Sequence, residues 1–142
     1  MIKYLTEYGV RTFSEAPLND VDRLIFSQLV YMDFEETAES LKKRSDGISF
    51  AYALEHAVWA DSDDPSEDRF SFQKKDDRQL AALAAACARY SSIRFLDFYR
   101  QYDPLTQTQF AAFTLRIEKG HLLVAFRGTD NTLAGWFLSQ FK

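Results

Sequence analysis

Near its end the chain carries an unbroken apolar run, Leu122, Leu123, Val124, Ala125 and Phe126, which stops abruptly at Arg127-Gly128-Thr129-Asp130. A run of that length bounded by turn residues reads as a strand buried on both faces. Just upstream, Ala111, Phe113, Leu115 and Ile117 alternate with Ala112, Thr114, Arg116 and Glu118. Period-two alternation predicts a half-buried strand over 109–118, and Lys119-Gly120 supplies a tight reversal between the two. Ile93 to Tyr102 is aromatic-rich and predicts a third strand, with Leu96, Phe98 and Tyr102 on one side; Asp103-Pro104 then begins a turn. Residues 91–130 therefore read as a β-meander.

The first 90 residues carry a different period and read as mainly helical. Asn19 or Asp20 can cap a helix, because their side chains accept from free backbone donors. Val21, Leu24, Ile25, Leu29 and Met32 follow at helical spacing, with Phe26 and Val30 widening the stripe. The spacing predicts a helix reaching about Tyr31. Glu35–Arg44 predicts a more polar helix, which Asp46-Gly47 interrupts. Ile48–Trp59 carries Phe50, Ala51, Leu54, Ala57 and Val58 at helical intervals. Asp61–Asp68 is the strongest loop signal in the chain. Asp76 or Asp77 can then cap a helix whose Leu80, Leu83, Ala84 and Cys87 share a face. The alanines there allow close packing and favour helix.

Composition narrows the function classes. A chain of 142 residues fits one domain with a real core, and its 46% apolar and 27% charged residues argue against disorder. Thirteen Phe and seven Tyr read first as core filling. The net charge is −4 and no basic stripe is present, so nucleic acid is not an expected partner. Lys42-Lys43-Arg44 suits a helix end. The lone Cys87 allows neither an internal disulfide nor a cysteine zinc site, and its Ala-rich surroundings suggest an inert buried thiol. No stretch approaches the ~20 apolar residues of a membrane span, and the first residues do not read as a signal peptide, so a cytoplasmic location is expected. Counted from Asp61, the acidic loop places Ser66 where a calcium loop needs Gly and Phe72 where it needs Glu. No metal and no cofactor is expected.

The remaining signal is Arg127-Gly128-Thr129-Asp130. A Gly there lets the chain turn sharply and approach a ligand closely. Thr129 offers an amide and a hydroxyl, and Arg127 can support the loop through a carboxylate or through carbonyls. The longer context LNDVDRLIFSQLVYMDFE, IRFLDFYRQYD and QFAAFTLRIEKGHLLVAFRGTDNTLAGW resembles a bacterial family of lipase-like α/β-hydrolases, mostly described only as a domain of unknown function. The likeness runs from about Tyr4 to Trp136, with a more variable middle near residues 36–75. The FRGT piece is shared with fungal-type triglyceride lipases, where the residue after the Gly helps form the oxyanion hole. The resemblance thus implies Thr129 as an oxyanion-hole residue, with Gly128 and Arg127 beside it.

The likeness fails after Trp136. Family members continue into an acidic helix, further strands and a Gly-x-Ser-x-Gly elbow. Here no pair among Gly9, Gly47, Gly120, Gly128 and Gly135 brackets a Ser. In such enzymes the triad runs Ser, acid, His, and both His56 and His121 come too early; each reads as a surface residue. Asp97 and Asp103 receive no role. The expectation is one incomplete α/β domain over 1–142: the N-terminal portion of an α/β-hydrolase-like fold, with helices followed by a β-meander that opens the central sheet. A shortened or frameshifted reading frame would explain the abrupt tail. The intact relative would act on a small acyl ester, and this segment alone would be inactive. The alternative is a non-enzymatic interaction module using an exposed sheet edge, including self-association through that edge.

Overall fold

Asn19 Oδ1 accepts hydrogen bonds from the amides of Val21 (2.9 Å) and Asp22 (3.2 Å), and the Asp22 carboxylate accepts one back from the Asn19 amide at 3.1 Å. This reciprocal cap satisfies donors that no helical carbonyl can reach. In the computed structural model, which describes residues 1–59, 71–105 and 108–129, it starts the second helix. The elements in chain order are α1 (Ile2–Tyr8), α2 (Asp20–Leu29), β1 (Met32–Asp33), α3 (Glu35–Leu41), β2 (Ile48–Ser49), α4 (Phe50–His56), β3 (Val58–Trp59), α5 (Ser71–Ala86), β4 (Arg94–Asp103), β5 (Thr108–Glu118) and β6 (His121–Thr129). This is a mixed α/β arrangement. β2, β4, β5 and β6 form an antiparallel sheet in that order, and β1 pairs with β3.

Helices cover one face of the larger sheet. Ile25, Phe26 and Leu29 of α2, Phe50 and Ala53 of α4, and Leu80 and Ala84 of α5 pack with Phe95, Phe113 and Leu115 of the sheet in one buried cluster. Aromatic rings dominate it, as the composition suggested. Phe34 lies 5.1 Å from Phe95 and 5.6 Å from Phe113, and Phe50 lies 5.8 Å from Phe113, both Phe113 contacts edge to face. Such geometry adds to plain area burial.

Several expectations need correction. α2 ends at Leu29, and Leu24 is exposed, because Ile25, Phe26 and Leu29 set the inward face. Ile48–Trp59 is not one helix: Ser49 Oγ caps α4 by accepting from the Tyr52 amide, and residues on both sides join sheets instead. α5 begins at Ser71, so Asp76 and Asp77 lie inside it. In β4 the pairing with β5 slips between Phe95 and Asp97. That bulge puts Phe95 and Phe98 on the buried face and displaces Leu96, which strict alternation had placed with Phe98. Gly47 accommodates this corner at φ +67°, where an added Cβ would sit 2.3 Å from the Phe95 carbonyl oxygen. The acidic loop Asp61–Asp68 lies outside the described residues.

The main correction concerns β6. It is not buried on both faces. Ala125 and Arg127 are buried, Leu123 is half-buried, and Leu122, Val124 and Phe126 are exposed, Phe126 by 60%. β5 behaves as expected, with Ala111, Phe113, Leu115 and Ile117 all buried.

A second buried feature ties the N-terminal part to the rest. Asp22 and Arg89 have fully buried side chains and form a two-pronged ion pair: Arg89 Nη2 donates to Asp22 Oδ2 at 2.6 Å and Nε to Oδ1 at 3.0 Å. Tyr90 and Tyr4 hydroxyls also donate to Oδ1, at 2.8 and 3.1 Å. Burial alone would raise the Asp22 carboxyl. Hydrogen bonds from Arg89, Tyr90 and the Asn19 backbone outweigh it and hold the group below the ordinary carboxylate range.

This packing makes the ion pair and the two strands testable. Asp22→Asn leaves the Arg89 guanidinium buried without a counter-charge and should cost about 3–5 kcal/mol at pH 7, read by urea unfolding. Because the folded carboxyl is depressed, its stabilisation is present above the unfolded value of about 3.9 and is lost as pH falls through the lower folded value. The wild type should therefore lose stability below about pH 4 more steeply than Asp22→Asn; equal acid limbs would contradict the pair. On β6 and β5, Phe126→Lys should change stability by no more than about 0.5 kcal/mol, whereas Phe113→Ala should cost about 3–5 kcal/mol. A Phe126→Lys loss as large as that of Phe113→Ala would mean that the outer face is covered.

Candidate functional site

Gly128 and Thr129 do not lie in a loop beyond the strand. They are its last two residues, paired in register with Phe110 and Gln109 of β5. β6 is the sheet's final strand, so among the described residues its other edge is unpaired. The hairpin preceding it turns at Gly120, with φ +78° and open space around it, which fits the expected reversal.

Arg127 fixes this strand end. Its side chain reaches inward, and Nη1 donates to the Tyr31 carbonyl at 2.8 Å, just past α2. A cation at a helix C-terminus meets the partial negative charge of unpaired carbonyls. The guanidinium carbon also stands 5.7 Å from the Tyr31 ring centre. Of the two supports considered from sequence, carboxylate or carbonyl, the carbonyl is the one present among the described residues. Arg127 is 9% exposed, and its Nε is buried with no hydrogen-bond partner among them. Burial, and then the positive charge of Arg100, push its pKa down from the ordinary arginine value.

Arg100 is a neighbour that the sequence did not suggest. Register places Arg100 opposite Ala111 and Ala111 opposite Arg127, so the three form one row across β4, β5 and β6. Arg100 Nη1 contacts Asp33 Oδ2 at 3.2 Å and Glu35 Oε1 at 3.6 Å. The signal in the sequence was the even spacing of Phe98 and Arg100, which places the two on one side of β4.

The other residues weighed from sequence remain apart from this end. His121 is exposed at the start of β6. His56 is exposed, with Nδ1 2.9 Å from the Tyr52 carbonyl oxygen and its ring stacked on Tyr52 at 3.9 Å. Asp97 Oδ1 accepts from the Phe98 amide, and Asp103 Oδ1 from the Leu105 amide, so both serve local backbone. Cys87 is half-buried, and burial pushes its thiol up, away from the reactive thiolate. Among the described residues no three His, Cys, Asp or Glu side chains converge as a metal site would require. No helix among them is long and apolar enough to cross a membrane. Asp130 and Trp136 lie outside the described residues.

The model of a family described as Mbeg1-like matches residues 84–139. The match spans the end of α5 and β4, β5 and β6, and so includes Arg100, Arg127, Gly128 and Thr129, but it covers less than half of the chain. No curated protein matches the sequence, and no solved structure does.

Proposed function

We propose that this chain is the N-terminal segment of a lipase- or esterase-like serine hydrolase, in which Thr129, with Gly128 and Arg127 beside it, contributes to an oxyanion hole. One observation supports the reading: Arg-Gly-Thr ends the strand that is outermost among the described residues, and Arg127 bolts that strand end to the carbonyl of Tyr31. Oxyanion stabilisation depends on donors held in place before charge develops, and each is worth roughly 2.7–4 kcal/mol. In the full reaction a serine attacks the carbonyl of a small acyl ester and a histidine takes its proton. These 142 residues contain no Gly-x-Ser-x-Gly segment to supply that serine. The polypeptide by itself should therefore give no serine-dependent burst with p-nitrophenyl esters. A burst from this chain alone would overturn that assignment. A Gly-x-Ser-x-Gly segment encoded shortly downstream, in any frame, supports the hydrolase reading, and unrelated sequence there counts against it.

A second reading is favoured by the exposed Leu122, Val124 and Phe126 beside the edge of β6 that is unpaired among the described residues. An apolar strand edge is a template for pairing with another strand. The chain would then be an interaction module that associates with a second copy or another sheet through β6. Replacing Val124 with Pro removes an amide donor and should shift the protein from dimer to monomer in size-exclusion chromatography. A wild type that stays monomeric at every concentration would remove the self-association form of this reading.

A further inference from the structure

The row Arg100–Ala111–Arg127 sets two guanidiniums on either side of the smallest buried side chain in β5. Two strand spacings separate their backbones, roughly 9–10 Å. Arg100 is matched by Asp33 and Glu35. Arg127 makes no ion pair among the described residues: the Asp33 carboxylate acts on it only from a distance, and its contacts there are one carbonyl and one ring, although it is nine-tenths buried. With Nη1 committed to Tyr31, the opposite edge of the fork, Nε and Nη2, is left over, and Nε has no acceptor among those residues. That edge is the one on which a carboxylate seats with two parallel hydrogen bonds. A buried guanidinium without an anion is costly, whereas one that is paired bidentately is offset by short charge-assisted bonds.

We infer that the Nε–Nη2 edge of Arg127 is a receiving site for a carboxylate, adjoining Gly128 and backed by the positive charge of Arg100. This goes beyond the oxyanion reading, since it concerns a side chain rather than the strand-end amides, and it stands whether or not that reading does. The carboxylate the edge would take is that of a small ligand.

Side-chain 15N–1H NMR of the full chain tests the site, with the Arg127 Nε–H assigned through its own backbone. Titration uses sodium formate against sodium chloride at matched ionic strength. An Nε–H signal that is upfield at first and moves saturably with formate but not with chloride supports the site. A signal that formate does not move, whether it starts upfield or already sits downfield as if satisfied within the protein, overturns it.

Discussion

The Asp22–Arg89 pair is the constraint on which the N-terminal part of the fold depends. Residues 9–19 form neither helix nor strand, and apart from Thr12, whose carbonyl accepts from the Glu15 and Ala16 amides, several of their carbonyls take donors from elsewhere. Arg89 supplies them: Nη1 reaches the carbonyls of Ala16 (2.8 Å), Arg11 (3.2 Å) and Thr12 (3.4 Å), and Nη2 reaches that of Pro17 at 3.0 Å. The guanidinium also lies over the Phe13 ring at 4.3 Å. A guanidinium stripped of water is tolerated only when its protons are engaged. Here a single side chain beyond α5 holds the entry to α2, the loop before it and, through Asp22 and Tyr4, helix α1. Asn19 belongs to the same network, since its Nδ2 donates to the Tyr4 hydroxyl at 2.9 Å while its Oδ1 caps α2. A helix cap and a buried ion pair thus share Asp22, and loosening either loosens the other.

Much of this was legible in the sequence, and the reasons for the failures are physical. Asn19 as a cap, the alternation of β5 and the reversal at Gly120 all depend on local backbone chemistry, so a few neighbouring residues settle them. Arg89 depends on partners 67 to 78 positions away, which no local pattern encodes. The only trace was the Asn19-x-x-Asp22 spacing of a reciprocal cap. The Ile48–Trp59 stretch misled because its apolar residues suit a helix at its centre and short strand pairings at its ends. Leu96 misled because a bulge adds one residue and shifts the phase of alternation, so Phe95 and Phe98 share a face that period two would divide.

At the candidate site the sequence identified the strand end but not its surroundings. Arg127, Gly128 and Thr129 lie at the end of β6, yet as members of the ladder and not as a loop beyond it. Support from a carbonyl was one of two possibilities from sequence, and the Tyr31 carbonyl is the contact present among the described residues. That Arg100, Ala111 and Arg127 share a row could not be read, because cross-strand neighbours follow from register, which local pattern does not fix.

β6 remains the informative strand because its sequence and its environment disagree. A strand with one solvated face normally alternates apolar and polar residues, as β5 does with Thr114, Arg116 and Glu118. In β6 the outward residues Leu122, Val124 and Phe126 are at least as apolar as the inward Leu123, Ala125 and Arg127, and the one charged side chain among the six points in. Phe126 also sits 5.8 Å from Phe110, which in turn is 6.1 Å from Tyr99, so the apolar surface continues across three strands. Scattered surface apolar residues need no explanation, but a contiguous patch beside an edge unpaired among the described residues does. Both proposed readings meet that demand in the same place. A hydrolase sheet would extend past β6 and carry helices on this face; an interaction module would lend it to a partner. What differs is whether the covering layer belongs to the same polypeptide, and the inward-pointing Arg127, short of an anion on the opposite side of the strand, is compatible with either.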